Sequence, residues 1–508
     1  MAVVESSPRE SARSEDAIPT GFGVVWDADV THLDDGRVVV GGTPTRLVRL
    51  GAGARQRIDG LTGSEPVPVP ARTWRDVVRP LLDAGLLHPR PPVAATGLEH
   101  VTVVIPVRDR WEALYRLLPT VTGAARVIVV DDGSTDGTAE VAEAFGVDVI
   151  RLPQRRGPAA ARNAGLAQAQ TPIVTFLDSD IRLEAGWYRP LLAHFADPTV
   201  AVVAPRVVGD VAERSDALAR YEVARSPLDI GRQGGYVRPR NRASFLPSAM
   251  LVARTEALAQ AGGFDAALQV GEDVDLVWRL GDAGWRVRYE PAAVVYHDAR
   301  PTLLGLLRRR VDYGTSAAAL HRRHPGKVAP VGISPWSAAV WGPVAAGMPG
   351  VGALVAAGTT ARLARSLRGL VRDRWQAAWR VAVPGHIGVA RMLAAAVSRT
   401  WLPLAALALW RWPATRPALG AALVVPPLAD WARQRPPMSV AAYSALHLAD
   451  DAAYCAGVWI GCARERTLGP LIPQLYRGTP VLPGPDHVPT TARTIDPSEE
   501  TERTAHAA

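Results

Sequence analysis

The chain is nearly without cysteine and nearly without lysine. Cys455 and Cys462 are its only thiols in 508 residues. That excludes a disulfide framework and a cysteine-rich zinc site, and favours a reducing, cytosolic setting. Lys327 is the one lysine, so the formal charge of +8 rests almost wholly on arginine. Beside abundant alanine, this usage reads as genomic G+C bias, and nucleic acid is not an expected partner. Its consequence is a surface attractive to phosphates and acidic lipids. Three motifs are also missing. No Gly-x-Gly-x-x-Gly follows the first strand of the central region, which disfavours a nicotinamide enzyme. No Walker-type Gly-Lys-Ser/Thr occurs, which excludes a P-loop NTPase, and there is no Gly-x-Ser-x-Gly elbow. Residues 1–20 hold no apolar core, so no signal peptide is expected.

What the chain does hold is apolar surface. Hydrophobic residues make up 48% and the mean hydropathy is +0.04, high for a purely soluble enzyme. Residues 328–361 contain no Asp, Glu, Lys or Arg, yet Pro335, Pro343 and Pro349 interrupt them. Basic residues flank both sides, with Arg308–Arg310 before and Arg362, Arg365 and Arg368 after. Under the positive-inside rule both flanks lie on one face, so a broken hairpin or re-entrant element is expected rather than a single crossing. Residues 400–429 are apolar too, broken by Arg411 and Arg416. The expected location is the cytoplasmic face of the cell membrane, with the membrane surface as a partner.

Five segments follow from composition and periodicity: polar tails at 1–18 and 484–508, a compact segment at 21–92, a central domain at 97–325 and an apolar helical region at 328–480. In residues 21–92, Gly23–His32 and Arg37–Val40 flank the turn signal Asp34-Asp35-Gly36. Helical patterns follow at 54–61 and 73–87, the latter holding Pro80, which should kink it. A small winged-helix-like α+β module fits, and residues 88–97 read as a linker. From Glu99 onward, apolar runs at 101–106, 127–130, 147–152 and 173–177 alternate with helical patterns. This is the βαβ signature of a doubly wound α/β sheet.

Carboxylates sit at the ends of the apolar runs. Val127–Val130 lead into Asp131-Asp132-Gly133-Ser134, Ile173–Leu177 into Asp178-Ser179-Asp180, and Gly271-Glu272-Asp273 opens a helical pattern. Ligands of open α/β sheets bind beyond the carboxyl ends of the strands. A hard cation such as Mg²⁺ or Mn²⁺ binds through one or two carboxylates plus substrate phosphates, which Asp178 and Asp180 can supply. Each motif alone also reads as helix capping or a strand-end turn. Their order beyond successive runs favours a nucleotide-sugar transferase, with one carboxylate left as a base. Arg155, Arg156 and Arg162 surround Gly157 and could stabilise phosphate. His297 ends one more apolar run, as a metal ligand or a strand-end polar residue, the ligand being preferred.

The set Val103-Val104-Ile105-Pro106, Val130–Asp136, Gly157–Gly165, Asp178-Ser179-Asp180, Gly262-Gly263-Phe264-Asp265 and Gly271-Glu272-Asp273 resembles the family-2 inverting glycosyltransferases of the GT-A fold. The resemblance spans residues 99–315. It implies that Asp131 and Asp132 hold the uridine, with Pro106, Arg108, Arg162 and Asp178 at the nucleotide. It also implies that Asp180, with Asp178, holds the metal-diphosphate and that Asp273 is the base; His297 at the metal and Glu272 beside the base are further candidates. Val107-Arg108-Asp109-Arg110 stands where many members have Tyr-Asn, and the Gln-x-x-Arg-Trp motif of processive members is missing. The layout is similar to actinobacterial members that serve the mycofactocin system. That implies a UDP-sugar donor, UDP-glucose in the first place, and a peptide-derived redox-cofactor precursor as acceptor. Residues 21–92 resemble the peptide-binding domain of pyrroloquinoline-quinone biosynthesis. Two alternatives stay open: a membrane glycosyltransferase acting on lipid-linked or cell-wall glycan, and a winged-helix regulator fused to a nucleotide-sugar sensor.

Overall fold

The computed structural model describes residues 21–476 apart from 44, 63–66, 71–72, 93–96, 211–215 and 299–301. The expected tails at 1–18 and 484–508 lie outside the described residues.

The N-terminal module holds β1 (Gly23–Trp26), β2 (Thr31–Leu33), β3 (Val38–Gly41), β4 (Arg46–Arg49) and β5 (Leu87–Arg90). The Asp34-Asp35-Gly36 turn joins β2 to β3, all three residues taking positive φ, and β4 completes an antiparallel meander. β1 instead pairs with β5, so the linker begins after Arg90 and not at His88. His88 is held inside the ribbon by the Asp27 carboxylate at 2.7 Å. Around Pro80 the helix opens into a π-type turn over Trp74–Val78 and resumes as Arg79–Asp83. Near the start of the resumed helix, the missing N–H of proline breaks no internal bond. Trp74, Val78, Leu82 and Leu86 are all buried there. Each such side chain stabilises by roughly 1.5–3 kcal/mol.

The central sheet has nine strands: β6 (Val101–Val107), β7 (Arg126–Asp131), β8 (Asp148–Arg151), β9 (Ile173–Leu177), β10 (Ile181–Arg182), β11 (Val200–Asp210), β12 (Gly235–Tyr236), β13 (Met250–Arg254) and β14 (Arg286–Asp298). Strands β8-β7-β6-β9 run parallel, as the apolar runs imply. Beyond β9 the sheet becomes mixed. β13 runs antiparallel to both β9 and β11, while β14 runs parallel to β11. Apolar clusters cover both faces, one around Val103, Ile105 and Leu114, the other around Val104, Phe176 and Leu276. This is the curled α/β sheet of the GT-A type.

Two consequences place the chemistry. β6, β7 and β9 end side by side, so the segments after Val107, Asp131 and Leu177 form one rim. β13 enters from the opposite direction, pairing Met250 with Leu177, which brings Ser248 to that rim. β10 pairs with the far end of β14, setting Ile181 opposite His297.

After β14 the chain is helical: Leu303–Arg323, Pro335–Ala345, Pro349–Ser366, Arg374–Arg399, Leu402–Arg411, Arg416–Gln434 and Val440–Arg464. The charge-free stretch does fold as two helices broken before Pro349. Among the described residues, however, only Arg374–Arg399 is long and apolar enough to cross a membrane, and it lies outside both stretches singled out above. Just 17% of its apolar window is buried. The last helix lies against Leu303–Arg323 at very short range. A Cβ on Gly457 would stand 2.0 Å from the Val311 carbonyl, and one on Gly314 2.2 Å from that of Tyr454. Only glycine permits that crossing, which turns Tyr454 and Asp450 toward the central domain.

Candidate active site

A cavity of about 1270 Å³ opens on the carboxyl rim of the sheet. Pro106, Arg108, Asp132, Arg162, Asp178, Asp180, Glu272, Asp273 and His297 all line it, so most of the expected site residues converge. Asp131 is the exception. Its Oδ1 accepts the Ser134 N–H at 2.9 Å, which closes the turn after β7, and it does not reach the cavity wall. Asp132 reaches the wall while accepting the N–H groups of Arg156 (2.6 Å) and Gly157 (2.8 Å). It thereby ties the loop after β8 to the rim beside β6 and β7.

Arg162 differs most from its expected role at a phosphate. The residue is 2% exposed and its guanidinium is already committed. Nη2 donates to Asp178 Oδ1 at 2.7 Å, Nη1 to Glu272 Oε1 at 3.0 Å, and the group stacks near the Phe264 ring. Burial alone would loosen its proton, but Asp178 and Glu272 more than offset this and raise its pKa. Arg162 is thus an internal strut joining the strand-end Asp178 to the first turn of the Glu272–Asp282 helix.

Gly271 precedes that helix at φ +87, in the left-handed region, and its absent side chain leaves room for Ser316 and Leu320 of the covering helix. Asp273 is half-buried in the first turn. Its Oδ2 accepts the Ser248 N–H at 3.1 Å and its Oδ1 that of Val274 at 2.8 Å. Burial raises its carboxyl above the usual aspartate range, with these N–H groups and Arg162 opposing. Burial and then the Asp273 charge raise Glu272 as well, against the pull of Arg162. Of the pair, Glu272 is taken by the arginine, and Asp273 is the one whose partners are backbone N–H groups.

Asp180 lies 3.5 Å from His297 Nε2 and 3.4 Å from Arg110 Nη1. Among the described residues no three His, Cys, Asp or Glu side chains are gathered closely enough to hold a metal by themselves. Asp180 and His297 do converge, with Asp178 two residues away. An oxygen-preferring divalent cation fits here once substrate phosphates complete its shell.

Several residues at or behind the wall were not legible in the sequence. Arg110 precedes a helix by one position and carries no motif. Ser248 acts through its backbone. Arg309 and Tyr313, from the Leu303–Arg323 helix, stack at 4.8 Å over the cavity. Asp275, one turn beyond Gly271, is buried between Arg279 (2.7 Å) and His324 (2.9 Å), which anchors the covering helix to the site helix. Its Asp-Val-Asp context gave no sign of that long-range partner.

Residues 102–260 match the sequence profile of "Glycosyl transferase family 2". The chain is 42% identical over 474 residues to the pre-mycofactocin glycosyltransferase of Mycobacterium tuberculosis, in strains CDC 1551 and H37Rv, covering 90% of this chain and 98% of the relative. It is 28% identical over 221 residues to the glycosyltransferase AglE of Haloferax volcanii, covering 40% of this chain and 68% of the relative. Among solved structures it matches the glucosyl-3-phosphoglycerate synthase of M. tuberculosis, crystallised with Mn²⁺, UDP and phosphoglyceric acid. That match has 24% identity and a TM-score of 0.35, covering 48% of this chain and 87% of the other.

Proposed function

The chain belongs to the family-2 glycosyltransferases, close to the pre-mycofactocin members, and from that premise we propose that it moves glucose from UDP-glucose onto a mycofactocin-type, peptide-derived precursor with inversion at the anomeric carbon. The acceptor rests on near-full-length similarity to proteins of that name. The chemistry rests on one observation: Asp180, His297 and Asp273 face a single cavity from three different elements.

In this reading Asp132 and the loop it ties down shape the uridine end, and Asp131 supports them from behind. Asp180, His297 and Asp178 would hold a Mg²⁺ or Mn²⁺ ion, which supplies charge to offset the departing diphosphate. Arg162 keeps Asp178 and Glu272 in place. Asp273 takes the proton of the acceptor hydroxyl as that oxygen attacks C1 from the face opposite the UDP, and its raised pKa suits a base working near neutral pH. One displacement converts an α-linked donor to a β-glycoside, and repetition would build an oligosaccharide.

Attachment to the cytoplasmic face of the membrane is part of the proposal. It is supported by the largely exposed Arg374–Arg399 helix and by exposed apolar side chains such as Leu354 and Trp410. Those same helices favour a second reading, transfer to a lipid-linked glycan. Purified protein with Mn²⁺, UDP-glucose and a paired panel of precursor and polyprenyl phosphate, read by mass spectrometry, separates the two. Hexose on the precursor supports the first reading. Hexose on lipid alone replaces it with the second.

A further inference from the structure

We infer that the C-terminal region, together with the central-domain loop around Arg240, completes the acceptor side of the cavity, through two arginine–tyrosine stacks that select a compact, ring-bearing acceptor rich in carbonyl or carboxylate oxygens. The inference rests on the transferase reading above and adds the residues that would choose the acceptor.

The first support is size. Single-ligand pockets occupy about 300–1,000 Å³, and this cavity, at about 1270 Å³, exceeds that range. One continuous void therefore has room for a donor and a second molecule. The second support is who lines it. The rim of the sheet accounts for the donor end; the rest of the wall comes from residues 225–230, the loop around Arg240 and the Leu303–Arg323 helix, and also from Met392, Arg399, Tyr454 and Tyr476. The last four lie far outside residues 102–260, which carry the family match.

The third support is the chemistry of that wall. Arg399 stacks on the Tyr454 ring at 4.2 Å, and Arg240 on the Tyr476 ring at 4.3 Å. Both arginines are pinned. Arg399 reaches Asp451 at 3.2 Å, while Arg240 donates to the Gly326 carbonyl and to Gln474 Oε1. Arg240 is held at φ +70, a left-handed conformation that an arginine adopts only when its surroundings impose it. Tyr476 is fixed in turn, since its N–H donates to the Ile333 carbonyl at 3.0 Å and its hydroxyl to Gln474 at 2.7 Å. Rigid aromatic faces recognise rings, and guanidinium edges beside them recognise carbonyl or carboxylate oxygens. A flexible polyprenyl chain offers neither feature to such a wall.

The test measures KM for donor and for acceptor separately in Tyr476→Ala, Arg240→Gln and Tyr454→Leu, with thermal unfolding as the fold check. Tyr476 lies at the end of the described chain and Arg240 in a loop, so these two keep the test open should Tyr454→Leu fail to fold. The acceptor KM is expected to rise about ten-fold or more, the scale of one lost charged hydrogen bond or stacking contact, while the donor KM moves less than two-fold. Unchanged acceptor KM in both peripheral variants, or an equal rise in donor KM, would overturn the assignment. The measurement uses whichever acceptor the unmodified protein glycosylates, precursor or lipid. Transfer to lipid alone by the unmodified protein would overturn the precursor reading and the ring selectivity together, whereas unchanged acceptor KM in the variants with the precursor as acceptor would overturn the subsite alone.

Discussion

Arg162 and Asp178 meet at 2.7 Å with the arginine 2% exposed, and this contact fixes one corner of the site. Replacing Arg162 with Met leaves Glu272, whose side chain is only 8% exposed, without its counter-charge and removes the partner of the more open Asp178. Breaking a buried pair from one side costs about 3–5 kcal/mol. Arg162→Met is therefore expected to lower the denaturation midpoint of the central domain and to abolish transfer. Wild-type stability in chemical denaturation would show that the strut carries no weight.

Asp273→Asn is expected to lose ~10²–10⁴-fold in kcat, the usual contribution of a positioned base, while UDP binding by calorimetry is retained. The pH profile follows from the sign of the shift. The active form is the deprotonated one and burial raises the carboxyl, so the rate should fall on acidification through a pKa above the ordinary aspartate value. An acid limb at or below that ordinary value would assign the base elsewhere.

Asp180→Asn and His297→Gln should each weaken metal binding at the proposed site. Even outer partners of a metal site cost ~10–100-fold in affinity, so at least that rise is expected in the Mn²⁺ concentration giving half-maximal rate. Unchanged Mn²⁺ dependence in both variants would remove the Asp180–His297 pair from the site.

Leu354 is 74% exposed and Trp410 77%, on helices that leave large apolar side chains on the surface. Exposed patches of this kind mark association surfaces. The double substitution Leu354→Asp, Trp410→Asp is expected to release the protein from vesicles containing anionic lipid in a flotation assay. Retention equal to wild type would argue against membrane attachment through these helices.

The parallel half of the sheet was legible because buried parallel strands are near-continuous apolar runs, and β6, β7 and β9 each end at a turn or an acid. The rim acids were legible for the same reason. The antiparallel entry of β13 was not, since nothing in Met250–Arg254 records its direction against β9. Nor was the task of Arg162, because its partners Asp178 and Glu272 are supplied by two other elements. Pro80 signalled a disturbance correctly, while the π-type form of the turn before it left no mark in the sequence. Tyr454 reaches the cavity only because Gly314 and Gly457 let two helices touch, a contact between residues far apart in the chain.

The most direct measurement is the NMR anomeric configuration of the product that the unmodified protein forms from UDP-α-glucose and the peptide-derived precursor in Mn²⁺. A β-linked glucose on the precursor is the expected result, with Asp273 as base in a single displacement. An α-linked product, or a precursor left unmodified while UDP-glucose is consumed on another acceptor, would contradict it.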